Sequence, residues 1–138
     1  MTAVHFLTDV REPLLAAYAE VAAAYARGER VRVVTADEAM TQRFDRLLWE
    51  RERESFLPHV RLDSPLAAAT PIIVDHCPEH SGIGDLLVNL ALQVPPFFAS
   101  FRRVVEIVGS LPEVVAAARE RWRFYRAQGV ELSHARAA

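Results

Sequence analysis

The sequence predicts a single α/β domain, with a mostly parallel sheet flanked by helices in three layers. Short apolar or β-branched runs alternate with stretches of helical periodicity along the chain. A strand, a helix and a second strand fit within residues 4–35, which is the βαβ unit that pairs strands in parallel. The 138 residues suit one hydrophobic core, so we expect one domain over residues 1–138.

The first half of the chain supplies the βαβ unit. Val4–Leu7 is a short apolar run and predicts a buried strand. Pro13 stands where a helix begins, because its missing N–H costs nothing in the first turn. Gly28 supplies the stop of that helix. The β-branched run Val31–Thr35 then predicts the second strand.

The rest of the chain continues the alternation. Asp37 is a candidate N-cap for a second helix that runs to about Glu52. Ile72–Asp75 predicts a third strand, and Arg103–Val108 predicts another β-branched strand. The apolar run Leu86–Leu92 fits either a strand or a buried helix, because its length does not decide between them.

Composition excludes several classes of function. Sixteen basic residues against eighteen acidic ones give a net charge of −2, which argues against a generic nucleic-acid binder. All sixteen are Arg, so chemistry that needs a lysine is excluded. The single Cys77 cannot form an internal disulfide, and neither a signal peptide nor a membrane-spanning run is recognisable. We therefore expect a cytoplasmic protein without membrane contact.

The turns lack the motifs of cofactor binding. Thr8–Glu12, after the first strand, has none of the glycines that a dinucleotide pyrophosphate needs, so we expect a Rossmann-like fold without a cofactor. The loop Asp75–His80 holds five potential metal ligands, but they are too closely spaced for most four-ligand sites. We predict no metal and no catalytic residue. A small metal- or nucleotide-dependent enzyme using this loop is the alternative.

The last predicted helix, between Pro112 and Gly129, carries a basic stripe. Arg119, Arg123 and Arg126 fall at i, i+4 and i+7, beside the apolar stripe that contains Trp122. Residues 102–126 contain six Arg and three Glu, a local excess of +3. Guanidinium groups beside an aromatic ring suit a carboxylate partner with an apolar anchor. The alternative is a solvated helix face paired with its own Glu residues.

Two aromatic side chains stand away from the predicted core. Trp49 lies roughly 140° around the second helix from the apolar Phe44. Phe56 follows the highly charged run Glu50–Glu54. An aromatic side chain off the core face is a candidate interface anchor, since Trp is enriched in binding hot spots. Burial of both rings under the following loop fits the pattern equally well.

These segments together resemble the chi subunit family of bacterial DNA polymerase III. The resemblance is carried above all by Leu48-Trp49 ahead of Ser55–His59 and by the closing stretch Ala118–Gly129. It implies a non-catalytic accessory subunit of the replisome in the cytoplasm. Such a subunit links the clamp loader, through the psi subunit, to the acidic C-terminal tail of single-stranded DNA-binding protein, and it contacts DNA indirectly.

The resemblance also implies where the partners bind. The tail site comprises four residues of the closing helix, namely Arg119, Trp122, Arg123 and Arg126. The surface for psi, or for an equivalent clamp-loader protein, includes Trp49 and Phe56. Arg123 stands where Lys is common in the family and Trp122 where Tyr is common, so charge and ring are both kept. Direct binding of single-stranded nucleic acid by the same helix is a further alternative.

Overall fold

A computed structural model describes residues 2–51, 57–80 and 84–137. Within these residues the strands are β1 (Ala3–Val10), β2 (Val31–Val34), β3 (His59–Val60), β4 (Ile72–Asp75), β5 (Gly84–Asn89), β6 (Phe101–Gly109) and β7 (Glu131–Arg136). The α-helices are α1 (Pro13–Ala26), α2 (Glu38–Arg51) and α3 (Pro112–Ala127). Short 3₁₀ turns cover Ala67–Ala69 and Phe98–Ser100.

The strands form one sheet in the order β3-β4-β2-β5-β6-β1-β7. Every neighbouring pair in the described part of the chain is parallel. Parallel strands are usually covered on both faces, because their crossover helices pack against the sheet. The predicted α/β class is confirmed, and the sheet is more uniformly parallel than expected.

The strand residues alternate between two apolar clusters, one on each face of the sheet. Val33 and Val88 belong to the cluster that packs under α1 and α2. Val34 and Leu87, each one position away, belong to the cluster under α3. Because successive side chains in a strand point to opposite faces, this alternation gives the three layers, helix–sheet–helix.

The helix ends follow the predicted signals. Pro13 is the first residue of α1, and Gly28 follows the end of this helix with a φ of +77°. The Asp37 carboxylate accepts a hydrogen bond of 2.8 Å from the backbone N–H of Met40, which confirms Asp37 as the N-cap of α2. Gly129, with a φ of +74°, follows α3.

The structure resolves one ambiguity and adds two strands. The run Leu86–Leu92 contributes a strand, β5, because it pairs with β2 on one side and β6 on the other. The sequence did not predict β3 or β7. β3 has only two residues, and β7 is mostly exposed, so neither carries the apolar pattern that indicates a strand.

Candidate functional site

A groove of about 670 Å³ opens between α3 and the β7 edge of the sheet. Apolar residues that line it are Phe6, Val108, Val115, Ala118 and Trp122, and polar residues that line it include Thr8, Asp9, Ser110, Arg119, His134 and Arg136. Clefts of about 300–1,000 Å³ with a mainly apolar lining and a few polar groups are typical of ligand sites. The groove therefore has the size and the lining of a binding site.

Trp122 is held in the groove by aromatic contacts on two sides. Its ring lies 5.3 Å from that of Phe6 on β1, in an edge-to-face arrangement. The His134 ring on β7 lies 5.5 Å away on another side, also edge-to-face. Such contacts fix the orientation of the indole, which is partly buried and keeps an exposed part for a ligand.

Arg119 is an exposed cation at this groove. Its guanidinium makes no hydrogen bond or ion pair with any other residue in the described ranges. Arg123, on the same helix, is paired with Glu120. Arg126 is exposed and, like Arg123, does not line the groove. The structure thus brings Arg119 and Trp122 together and leaves the other two predicted residues further along the helix surface.

The local excess of positive charge is smaller in the structure than in the sequence. Four of the six Arg side chains between residues 102 and 126 are paired with carboxylates: Arg102–Asp85, Arg103–Glu29, Arg121–Glu106 and Arg123–Glu120. Two of these carboxylates come from outside the segment. Within the described residues, Arg119 and Arg126 are the two that have no such partner.

A buried polar network fixes α3 on the sheet. The fully buried Glu106 carboxylate accepts hydrogen bonds from Arg121 (2.9 Å), from Tyr125 (2.7 Å) and from Asn89 (2.9 and 3.1 Å). Arg121 also donates to the carbonyl of Leu92 at 2.9 Å. Because these contacts fix the inner face of α3, they also fix the neighbouring face that borders the groove.

Burial dominates the ionisation of this network. Removal from water raises the pKa of the Glu106 carboxyl, whereas Arg121, Tyr125 and Asn89 oppose that rise. Burial and the adjacent Glu106 raise the pKa of the Tyr125 hydroxyl well above its usual range. Tyr125 therefore keeps its proton and remains a hydrogen-bond donor to Glu106.

The wall of the groove that β7 supplies is not predicted by the sequence. His134 and Arg136 line the groove from β7, and Asp9 lines it from β1. The Arg136 guanidinium contacts the Asp9 carboxylate at 3.0 Å from Nη2 and at 3.3 Å from Nε. No sequence signal marks these residues, because β7 lacks a strand pattern and pairs with β1 across more than 120 positions of sequence.

A second surface lies at the opposite, β3 edge of the sheet. Trp49, on α2, is 56% exposed and lies edge-to-face against His59 with a centroid distance of 5.3 Å. Asp45 contacts the buried His59 ring at 2.9 Å, on the same side of α2. These residues line a cleft of about 640 Å³ between α2 and β3. Phe56, the other residue predicted for this surface, lies outside the described residues.

The loop after β4 is held by a buried arginine. Arg32 donates to the backbone carbonyls of Cys77 and Glu79, both at 2.7 Å, and burial lowers its pKa to about 10. The Asp75 carboxylate accepts hydrogen bonds from two backbone N–H groups and contacts Arg61. The Asp75 carboxylate and two backbone carbonyls of this loop are thus engaged in the fold. In the described ranges, no group of three or more His, Cys, Asp or Glu could hold a metal.

His80 closes this loop against an aromatic cluster. Its ring stacks on Phe97 at 5.2 Å and lies 5.0 Å from Phe101. Burial, together with the nearby Arg32 and Arg30, lowers the pKa of His80 to about 4. His80 is therefore neutral at pH 7, and its ring packs on the two Phe rings with Nδ1 3.4 Å from Nη1 of Arg32, which suits a structural contact better than acid–base chemistry.

Fold and turns together define a Rossmann-like α/β domain that lacks the glycine-rich turn of dinucleotide-binding proteins. A family model described as "DNA polymerase III chi subunit, HolC" matches residues 1–133. The chain therefore belongs to the DNA polymerase III chi subunit family, which confirms the resemblance seen in the sequence.

Three curated proteins, each named DNA polymerase III subunit chi, are similar to this chain. The Pseudomonas aeruginosa protein is 37% identical over 109 residues, which cover 79% of this chain and 75% of the relative. The Escherichia coli K12 protein is 34% identical over 109 residues (78% and 74%). The Haemophilus influenzae protein is 32% identical over 113 residues (77% and 74%). These values place the chain in the family as a replication accessory protein.

Among the described residues, no helix is both long enough and apolar enough to cross a bilayer.

Proposed function

We propose that this chain is a non-catalytic subunit that links the clamp loader of DNA polymerase III to the acidic C-terminal tail of single-stranded DNA-binding protein. One observation carries the proposal: Arg119 and Trp122 stand together at an apolar groove, and Arg119 has no partner in the described part of the chain. A peptide that ends in acidic residues, an apolar residue and Phe has the matching chemistry. Its aromatic end enters the groove and its carboxylates meet the guanidinium.

The affinity of the peptide depends on the hydrogen bonds between its carboxylates and the guanidinium of Arg119. A hydrogen bond to a charged group contributes about 1.5–3 kcal/mol when it is well placed. Arg presents a planar fork that matches a carboxylate, which makes Arg a better partner than Lys for this role. Since Arg119 is exposed, salt screens its attraction for the peptide, and binding weakens as ionic strength rises. We expect micromolar affinity at physiological salt.

The second partner, psi or an equivalent clamp-loader protein, is proposed to bind at the β3 edge. The exposed Trp49 is the anchor there, with Phe56 seven residues further along the sequence. Because the two surfaces lie at opposite edges of one sheet, both partners can bind at the same time. The subunit then reaches single-stranded DNA through a protein that coats it, which is consistent with the net charge of −2.

The other functions that the sequence left open have less support. A direct nucleic-acid binder needs free cations along its surface, and four of the six Arg side chains in residues 102–126 are paired with carboxylates. An enzyme using the loop after β4 needs polar groups that are available for chemistry. In that loop Asp75 is already bonded, and Arg32 occupies several backbone carbonyls.

The test is a titration of a fluorescent acidic peptide that ends in an apolar residue and Phe. Arg119→Ala is expected to weaken binding by about tenfold, because it removes a charge-assisted contact. Arg27→Ala is the matched control, since Arg27 is half-exposed and pairs with Glu29 away from the groove. Equal affinities for the wild type and Arg119→Ala would overturn the site.

A further inference from the structure

We infer that Asp9 is a specificity-determining residue of the α3–β7 groove: it holds Arg136 in the free protein and gives up Arg136 to a carboxylate of the incoming peptide. The inference rests on the proposed function, that this groove receives an acidic peptide. It adds a second cation, Arg136, to the site and assigns a role to the acidic residue beside it.

The groove has a guanidinium on each wall. Arg119 stands on α3 and Arg136 on β7, and both line the same groove. They differ in their pairing, because Arg119 has no partner in the described ranges whereas Arg136 is bonded to Asp9. A peptide with several carboxylates therefore meets one cation that is available at once and one that is already occupied.

The contact between Asp9 and Arg136 is exposed and exchangeable. The side chain of Arg136 is 80% exposed and that of Asp9 is 48% exposed. Both guanidinium contacts go to a single carboxylate oxygen, Oδ2, so the pair lacks the two-oxygen geometry of the strongest arginine–carboxylate pairs. An ion pair of this kind contributes little to stability. A peptide carboxylate can replace Asp9 without unfolding any element.

The backbone is shaped to hold Asp9 in this place. Asp9 has a φ of +55°, in the left-handed region that few residues other than glycine adopt. The pairing of β1 with β6 also shifts in register between Leu7 and Val10. Bulges of this type redirect a side chain at the end of a strand. Here the irregularity places the carboxylate at the groove and against Arg136.

An acid inside a groove for acidic ligands has a definite consequence. When a peptide carboxylate takes Arg136, Asp9 loses its partner and lies close to a ligand of the same charge. That repulsion limits the affinity, and it grows with the number of carboxylates that the peptide carries. Asp9 thereby limits the number of carboxylates that a tightly bound peptide carries, while the apolar lining selects the peptide's aromatic end.

The experiment measures the affinity of two fluorescent peptides for the full chain. One peptide ends in consecutive aspartates, an apolar residue and Phe, and the other has asparagines in place of the aspartates. The variants are Asp9→Asn, which keeps a side chain tolerant of positive φ, and Arg136→Ala. Their controls are Asp63→Asn at the β3 edge and Arg102→Ala, an Arg that is 73% exposed and pairs with Asp85.

For the acidic peptide, Asp9→Asn is expected to tighten binding by about threefold and Arg136→Ala to weaken it by about fivefold, as for exposed charges in contact. Neither control changes binding, and the asparagine peptide shows no gain from Asp9→Asn. If Asp9→Asn weakens binding of the acidic peptide, or if Asp63→Asn tightens it equally, the proposed exchange of Asp9 for a peptide carboxylate on Arg136 is overturned. Failure of the wild type to bind the acidic peptide overturns the proposed function itself.

Discussion

The two edges of the sheet carry surfaces of comparable size but of different construction. The groove at the β7 edge lies beside an apolar cluster, and its cation Arg119 has no partner in the described residues. At the β3 edge Glu38, Asp45 and Arg61 are bonded within the fold, Arg46 and Asp63 have no such partner among the described residues, and the large exposed group is the aromatic ring of Trp49. The first surface combines an apolar lining with an available cation, and the second presents one exposed aromatic ring beside a cleft lined mainly by polar residues.

The pairing at the β3 edge shows why a count of charges misleads. Arg61 forms two hydrogen bonds of 2.7 Å with the two carboxylate oxygens of Glu38 and also contacts Asp75. A guanidinium held in this way has few donors left for a partner. Arg61 is thus engaged whereas Arg46, in the same cleft, has no partner among the described residues, so only the packing of side chains reveals which charges are available.

The largest effect is expected from the network that supports the groove. Glu106→Gln replaces the carboxyl group that accepts hydrogen bonds from Arg121, Tyr125 and Asn89, and breaking this buried pairing of Arg121 costs about 3–5 kcal/mol of unfolding free energy. Urea unfolding measures this value. The control, Glu120→Gln on the exposed side of α3, is expected to change stability by less than about 0.5 kcal/mol. Similar losses for both variants would show that the network does not hold α3.

The comparison between the edges is tested most directly by exchanging the two tryptophans for alanine. Trp122→Ala is expected to weaken binding of the acidic peptide by about tenfold or more, since it removes an aromatic anchor. Trp49→Ala leaves peptide affinity unchanged but loses clamp-loader proteins in a pull-down from cell extract. If either variant alone loses binding of both the peptide and the clamp-loader proteins, the two surfaces are not independent.

The smallest effect concerns pH and the β3 edge. Arg61 hydrogen bonds lower the pKa of Glu38 from 4.5 to about 2, so the folded state favours the charged carboxylate. The resulting stability is present above about pH 4.5 and is lost as pH falls toward about 2. Urea midpoints of wild type and Glu38→Gln are thus expected to differ at pH 6 and to converge near pH 2. A difference that persists at pH 2 would rule out this linkage.

The sequence predicted the regular elements that carry their own signals. Helix ends marked by Pro13, Asp37 and Gly28 and the apolar strands around Val33 and Ile73 were all predicted close to their positions in the structure. These features depend on local backbone preferences and on the periodicity of apolar residues, and both can be recognised in a short stretch of consecutive residues. The family, too, was identified from sequence motifs alone.

The groove was predicted only in part. Arg119 and Trp122 were assigned to the site from the basic stripe and the resemblance, but Asp9, His134 and Arg136 were not assigned to it. Their proximity depends on β7 pairing with β1, a contact between the two ends of the chain. A strand that receives its hydrogen bonds from a distant partner needs no apolar pattern of its own, so its place cannot be seen in local sequence.

The sequence by itself determined the fold class, the absence of lysine chemistry and the basic face of the last helix. These follow from residue types and spacing, which are properties of the chain before it folds. The tertiary structure alone decided which of the basic residues are available to a partner. Ion pairs form between residues that are far apart in sequence, so a count of charges does not show which Arg side chains are paired. The count for residues 102–126 gives an excess of +3. In the fold, Arg119 is the Arg of this segment that lines the groove and has no partner among the described residues.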